Sequence, residues 1–267
     1  MMRRSWAVVI FAVLWLAAGS CFGQSNARDD DGGWQFTVTP YLFGAGLDGK
    51  AGIAGIVTNV DLPLSDLLDH FEAGFMVAAT ARKNRWIFGM DAMYFKLSDV
   101  GSQSVSGPFG VITIEGTVDM VPGEQMYQPT IGYRLFDGDV PSLDLFVGAR
   151  YTSLETELTL VTTTSIPSFP GGTRVLEADA TWWDPVIGKR VILSITDHLF
   201  ATTLVDCGGF GVGSDLTYQW MVAAGWRFSD LVSASLGYRY LKQDYQEDNF
   251  LWNMVMKGFV VGAGFEF

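Results

Sequence analysis

Apolar and polar positions alternate along most of this chain with a period of two. The segment Asn249 to Phe267, NFLWNMVMKGFVVGAGFEF, shows it most plainly. Phe259, Val261, Ala263, Phe265 and Phe267 fall on one side of an extended strand, and Gly258, Gly262, Gly264 and Glu266 on the other. Successive side chains of a strand point to opposite faces. The segment therefore has one greasy face, one small or polar face, and an aromatic end. A soluble sandwich would bury such a face, whereas a membrane barrel turns it to lipid and uses aromatics as an interfacial girdle. The pattern recurs upstream. Leu216, Tyr218, Trp220, Val222, Ala224, Trp226 and Phe228 oppose Asp215, Thr217, Gln219, Ala223, Gly225 and Arg227, and Val232 to Tyr240 repeat the alternation. Period two sustained over several strands predicts an all-β fold, an antiparallel up-and-down transmembrane β-barrel closed by its last strand.

The remaining strands follow the same rule. Trp34 to Gly46 is the first, with Trp34, Phe36, Val38, Tyr41 and Phe43 as apolar markers and Pro40 suited to an edge or bend. KAGIAGIVTNVDL reads as a short hairpin outside the membrane or as a second strand, and SDLLDHF as a helical turn capped by Ser65 or Asp66. Phe71 to Ala81 and Arg85 to Leu97 flank the tight turn Arg82-Lys83-Asn84. Ser98 to Pro108 reads as a polar loop, and Val111 to Phe136 as extended chain that Pro122 and Gly123 can divide. Ser142 to Val161, Asp179 to Ser194 and Leu199 to Cys207 complete the set. Short turns at Lys83-Asn84, Asp137 to Pro141, Thr196-Asp197 and Ser229-Asp230 alternate with longer connections near 47–70, 98–110, 162–176, 208–214 and 245–249. Outer-membrane barrels have this asymmetry, with short periplasmic turns and long outer loops. The alternation predicts about ten strands; dividing 51–62 and 111–135 gives twelve, and eight is a further alternative.

Composition sharpens the picture. Hydrophobic residues make up 49% of the chain, yet past the first residues no long apolar run occurs, because lipid-facing residues of a barrel are interleaved with interior ones. Residues 1–23 read as a signal peptide: Arg3 and Arg4, an apolar run from Trp6 to Ala18, then Gly19, Ser20 and Gly23. The run is short for a transmembrane helix. Cleavage after Gly23 would leave QSNARDDDGG (24–33) as a flexible periplasmic leader and 34–267 as one barrel; acylation at Cys21 is the rival processing. With Cys21 removed, Cys207 is the sole cysteine and no intramolecular disulfide forms. Loss of Arg3 and Arg4 takes the net charge from -12 to -14, which argues against nucleic acid as a partner. The expected destination is the cell outer membrane.

The segments WWDPVIGKR, VDCGGFGVGSDLTYQ, GYRYLKQDY and the terminal GFEF resemble a group of Gram-negative outer-membrane β-barrel proteins, porin-like in fold. PYLFGAGLDG and the stretch from SDLLDHF to ARKNRW resemble the same group. The resemblance spans most of the chain after residue 33 and implies an outer-membrane barrel, with no substrate or catalytic residue attached. VPGEQMYQP departs from the smooth strand expected at that point.

On the predicted interior faces lie Asp91, Arg134, Asp144, Arg150, Asp184, Arg190, Asp206, Arg227, Arg239 and Glu266. They read either as charged walls that select solutes or as a filling of mutually paired side chains, because unpaired charges away from water are costly. Wide aqueous channels need roughly sixteen strands, so the paired filling is favoured, with room for a thin conducting path. His70 with Ser65, Asp66 or Asp69 is the candidate for a hydrolase, but no second histidine falls on that side and Ser65 is equally a helix cap. Asp206, Asp215 and the glycines of CGGFGVGSD offer oxygen ligands for a cation; the spacing matches no calcium loop, and turn chemistry accounts for them. GFGVG lacks the following helix that a phosphate loop needs. Trp182, Trp183, Trp220, Trp226 and Trp252 read as interfacial anchors. These residues call for no cofactor, metal or catalytic machinery. The expected role is a small porin-like channel or structural membrane component, or alternatively a surface-binding barrel acting through 47–70 and 162–176. Its expected partners are outer-membrane lipid and the barrel-assembly machinery, engaged through the strand ending at Phe267.

Overall fold

Extended backbone satisfies its N–H and C=O groups by pairing, and a sheet with an apolar exterior leaves no open edge when it closes on itself. The computed structural model describes residues 33–267 apart from 54–55, 67–70, 98–99, 107–111, 121–122, 137–140 and 165–171. Residues 1–32, which hold the expected signal peptide and most of the expected leader, therefore lie outside the described residues. The strands are β1 (Trp34–Ile53), β2 (Ile56–Leu62), β3 (Phe71–Lys83), β4 (Trp86–Leu97), β5 (Val100–Ser106), β6 (Ile112–Met120) and β7 (Gly123–Phe136). They continue with β8 (Ser142–Thr164), β9 (Gly172–Ser194), β10 (Leu199–Gly209), β11 (Leu216–Arg227), β12 (Val232–Glu247) and β13 (Phe250–Glu266).

Ten of these close a ring in up-and-down order: β1, β3, β4, β7, β8, β9, β10, β11, β12, β13 and back to β1. Closure runs from Thr37 opposite Glu266 to Ile53 opposite Phe250. It extends to the last residue, where Phe36 N–H donates to Phe267 O (3.1 Å) and Phe267 N–H to Phe36 O (2.9 Å). The other three strands add no member to the ring. β2 pairs with the outer part of β1, Leu47–Ile53, on the edge that β3 uses nearer the short turns. The hairpin of β5 and β6 joins Thr159–Thr164 of β8, above the part paired to β7. Both expected divisions of the chain occur, and the ring still holds ten strands.

Three expected connections prove shorter. β5 occupies most of the predicted polar loop at 98–108. The loop at 162–176 narrows because β8 runs to Thr164 and β9 begins at Gly172, and the connection at 245–249 is a tight turn with Asp248 at φ 48°. Outside a bilayer the exterior need not be apolar, so the hydrophobic alternation fades while backbone pairing continues. At the start of SDLLDHF, residues 64–66 are helical; the Ser65 hydroxyl donates to the Asp66 carboxylate at 2.9 Å, and 67–70, including Asp69 and His70, lie outside the described residues.

The exterior carries an apolar band next to the short turns. Phe259 and Val261 of β13, Trp220, Val222 and Trp226 of β11, and Trp86, Phe88 and Met90 of β4 all face outward and are exposed. Aromatic pairs mark its two borders. Trp34 with Phe36 and Trp86 with Tyr133 stand at the short-turn border; Tyr127, Tyr151 and Trp183, with Tyr218, Tyr240 and Trp220, stand at the other. Beyond that second border the exterior turns polar: Asp48 lies 3.7 Å from Lys257, and Asn253 donates to Asp244 at 2.9 Å.

Candidate functional site in the barrel interior

Alternation sends every second side chain inward, and within the apolar band these include a set of buried polar and charged groups beside apolar ones such as Ile87, Val186 and Val260. Arg150 of β8 is fully buried. Its Nε donates to Gln128 Oε1 of β7 (2.9 Å), Nη1 to Thr217 Oγ1 of β11 (2.5 Å) and Nη2 to Asp206 Oδ1 of β10 (2.7 Å). The other oxygen of Asp206 accepts from Gln128 Nε2 (3.1 Å) and from Gln219 Nε2 of β11. Arg239 of β12 donates to Gln219 Oε1 (2.9 Å), Tyr41 Oη of β1 (3.0 Å) and Asp91 Oδ2 of β4 (3.0 Å), and Tyr41 OH donates to Asp91 Oδ1 (2.7 Å). Strands β4 and β12 stand nearly opposite in the ring. These bonds therefore cross the interior rather than run along its wall. The two guanidinium groups have all-side-chain partners and face carboxylates, which is the condition under which buried charge is tolerated.

A second group lies along the wall. In register across β7, β8 and β9, Asp144 receives Arg134 Nε (2.7 Å) on one oxygen and Arg190 Nη2 (2.9 Å) on the other. The remaining candidates stand apart from both groups. Asp184 accepts from Trp182 Nε1 (3.1 Å) and from the backbone N–H of Ser214 (2.7 Å), so it ties down the β10–β11 turn. Arg227 lies 4.7 Å from the Phe200 ring centroid. Glu266 is part-exposed beside the closing seam, its N–H bonded to Leu231 O at 2.9 Å. In that β10–β11 turn Gly209, Phe210 and Gly211 all have positive φ, which accounts for two glycines of CGGFGVGSD, while at Gly208 and Gly213 a side chain would run into the carbonyl oxygens of Pro185 and Trp183. Among the described residues no cluster of His, Cys, Asp and Glu has the make-up of a metal site. His198, at the short-turn end, stacks on Trp226 with Nδ1 3.1 Å from Arg227 O.

Farther from the short turns the interior becomes apolar. Leu47, Met93, Met126, Leu154, Leu241, Trp252, Met254 and Met256 form one buried cluster there, with Trp182 stacked on Tyr245 at 4.1 Å. Trp182 and Trp252 thus face inward, against the expectation that they anchor the interface, because they share the parity of Asp184 and Met254; Trp183, Trp220 and Trp226 are on the exterior. Glu124 is buried in this layer, one alternation above Met126. Neither carboxylate oxygen has a hydrogen-bond partner, and burial pushes its pKa up to about 8 against the pull of the Arg239 and Arg150 charges.

Sequence reasoning missed the neutral members. Gln128, Thr217 and Gln219 sit on the polar face of their strands, but nothing local marks them as partners of distant charges. Tyr41 and Phe43 do not belong with the apolar exterior markers. Trp34, Phe36 and Val38 have even numbers and face outward, whereas 41 and 43 are odd and buried, a signal present in the parity.

No protein-family model and no curated protein matches the sequence. Solved structures do. The outer membrane protease OmpT from Escherichia coli superposes with a TM-score of 0.56 at 12% identity, over 91% of this chain and 99% of that one. The fold is that of outer-membrane β-barrels. The translocator domain of autotransporter NalP from Neisseria meningitidis (TM-score 0.40, 13% identity, 97% and 95% of the two chains) and Ail of Yersinia pestis (0.31, 10%, 88% and 99%) are also matched, more loosely. At such identities the likeness concerns the fold and carries no activity across.

Proposed function

We propose that this protein is a non-conducting outer-membrane barrel, a structural component that acts through its outer end, beyond the bilayer. The observation that carries this reading is the filled interior: Arg150–Asp206 and Arg239–Asp91 bridge the lumen within the apolar band, and the Trp252 cluster packs above them. Strand length supports the second half of the proposal. A spanning strand needs roughly 9–11 residues, and β8 and β9 have 23 each, so more than half of each stands outside the hydrocarbon. That length suits a rigid surface for contact with another molecule, which is the surface-binding role.

The test is conductance in a planar bilayer of the refolded full chain, checked for folding by heat-modifiable migration on a gel. The wild type is expected to be silent. Arg150→Ala, which opens a cavity and strips Asp206 of its main partner, is expected to give openings. Steady ohmic openings from the wild type would overturn the reading in favour of a narrow channel, and an ion selectivity shifted by Arg150→Ala would then place that residue on the channel wall.

A further inference from the structure

The short-turn border of the barrel is uneven in charge. Among its described turns, the β3–β4 turn carries Arg82-Lys83-Asn84-Arg85, the β9–β10 turn Asp197 and the β11–β12 turn Asp230. One of the three is basic and two are acidic, in a chain of net charge -12. Next to the basic turn lies an outward groove lined by Trp34, Trp86, Phe88 and Ile131, with Lys83 and Asn84 at its rim. Pairing builds it: Lys83 is opposite both Trp34 and Trp86, and β7 supplies Ile131 opposite Phe88. Asn84 takes the left-handed conformation (φ 53°) that so tight a turn requires. Lys83 Nζ stands over the Trp34 ring, 5.6 Å from its centroid, a cation–π contact at the edge of the groove.

We propose that this groove is a binding site for one anionic phospholipid, its acyl chain along Trp86, Phe88 and Ile131 and its phosphate against Lys83 and Arg85. The inference rests on the membrane-spanning reading above. Charge complementarity selects this occupant. A phosphate at the border next to Asp197 or Asp230 meets like charge, whereas at the β3–β4 turn it meets two exposed cations, Lys83 and Arg85, at headgroup depth. Apolar rings below them match a chain rather than a free phosphate, and a zwitterionic headgroup lacks the net charge that the turn answers.

Native mass spectrometry of the refolded full chain tests this, with phosphatidylglycerol and phosphatidylcholine titrated separately. The wild type is expected to retain one phosphatidylglycerol roughly tenfold better than phosphatidylcholine, in keeping with two basic contacts at an anionic surface. Lys83→Glu with Arg85→Glu abolishes that preference; Lys242→Glu with Lys257→Glu, the same charge change on the outer half, preserves it. Equal retention of the two lipids by wild type overturns the site, as does equal loss in both double variants, which makes net charge the cause. A wild-type dimer dissolved by Lys83→Glu with Arg85→Glu, with lipid adducts unchanged, assigns the groove to a second copy of the chain instead. Folded protein that fails to enter vesicles of either lipid overturns the membrane reading itself; insertion without lipid preference overturns only the site.

Discussion

The two ends of the barrel use one backbone pattern in opposite senses. Near the short turns the outward face is apolar, with Phe259, Val261, Trp226 and Phe88, and the inward face carries Arg150, Asp206, Arg239 and Asp91. Beyond the Tyr127–Tyr151–Trp183 row, the outward face carries Asp48, Lys257, Asp244 and Asn253, and the inward face Trp252, Met254, Met256 and Leu241. On β13 the exchange happens within a few residues: Phe259 faces out as an apolar residue, and Lys257, two positions on, faces out as a charge. What each face must be is set by what lies outside the wall. In lipid the exterior is greasy, and the interior is free to hold a hydrogen-bonded polar layer. In water the exterior is polar, and the interior becomes an ordinary apolar core. A ten-stranded ring is narrow enough for side chains to fill in both regimes.

Breaking the polar layer is expected to have the largest effect. Arg150→Ala leaves Asp206 buried without its ion-pair partner and costs about 3–5 kcal/mol in a urea-dependent folding equilibrium; a loss below about 1 kcal/mol would mean that water enters the layer freely. Next comes a substitution placed to read the two exteriors against each other. Val261→Arg on the apolar band is expected to cost about 2–4 kcal/mol in lipid vesicles, falling with distance from the bilayer midplane. Asn253→Arg, on the same face of the same strand but beyond the aromatic row, is expected to stay within about 0.5 kcal/mol, as surface changes do. Equal costs at the two sites would place the bilayer boundary elsewhere.

The last effect, at Glu124, depends on pH. Its folded pKa is pushed up from 4.5 to about 8. Between those values the unfolded chain has released the proton and the folded one keeps it, so stability falls as pH rises from about 4.5 and levels off above about 8. Glu124→Gln removes the titration. It is expected to match the wild type at pH 5, where both side chains are neutral, and to exceed it at pH 9 by roughly 1–3 kcal/mol, the order that a raised carboxyl pKa implies at ~1.4 kcal/mol per unit. An advantage that does not grow with pH would show that Glu124 is ionised and paired.

How much of this was readable in advance follows from range. The strands bordering the short turns were legible almost to the residue, as at Phe71 to Ala81 and Arg85 to Leu97, because lipid enforces the alternation there. β5 and the outer ends of β8 and β9 were not, since water enforces no such pattern. Among the candidate residues, Arg150, Asp206, Arg239 and Asp91 come together, while Asp184, Arg227 and Glu266 serve a turn, a ring contact and the closing seam.

The amino-acid sequence by itself determined that the chain is a barrel, which residues can share a face, and where the tight turns fall. Period two, aromatic borders and turn residues are local properties that any register of the strands would preserve. Only the tertiary structure decided who meets whom: Arg239 with Tyr41 across 198 positions and with Asp91 across 148, and Gln128 with Asp206 across 78. Those meetings depend on how the ring closes and on how far neighbouring strands are staggered around it. The stagger is a property of the whole ring, summed over every pair of strands, and no single stretch of sequence carries it.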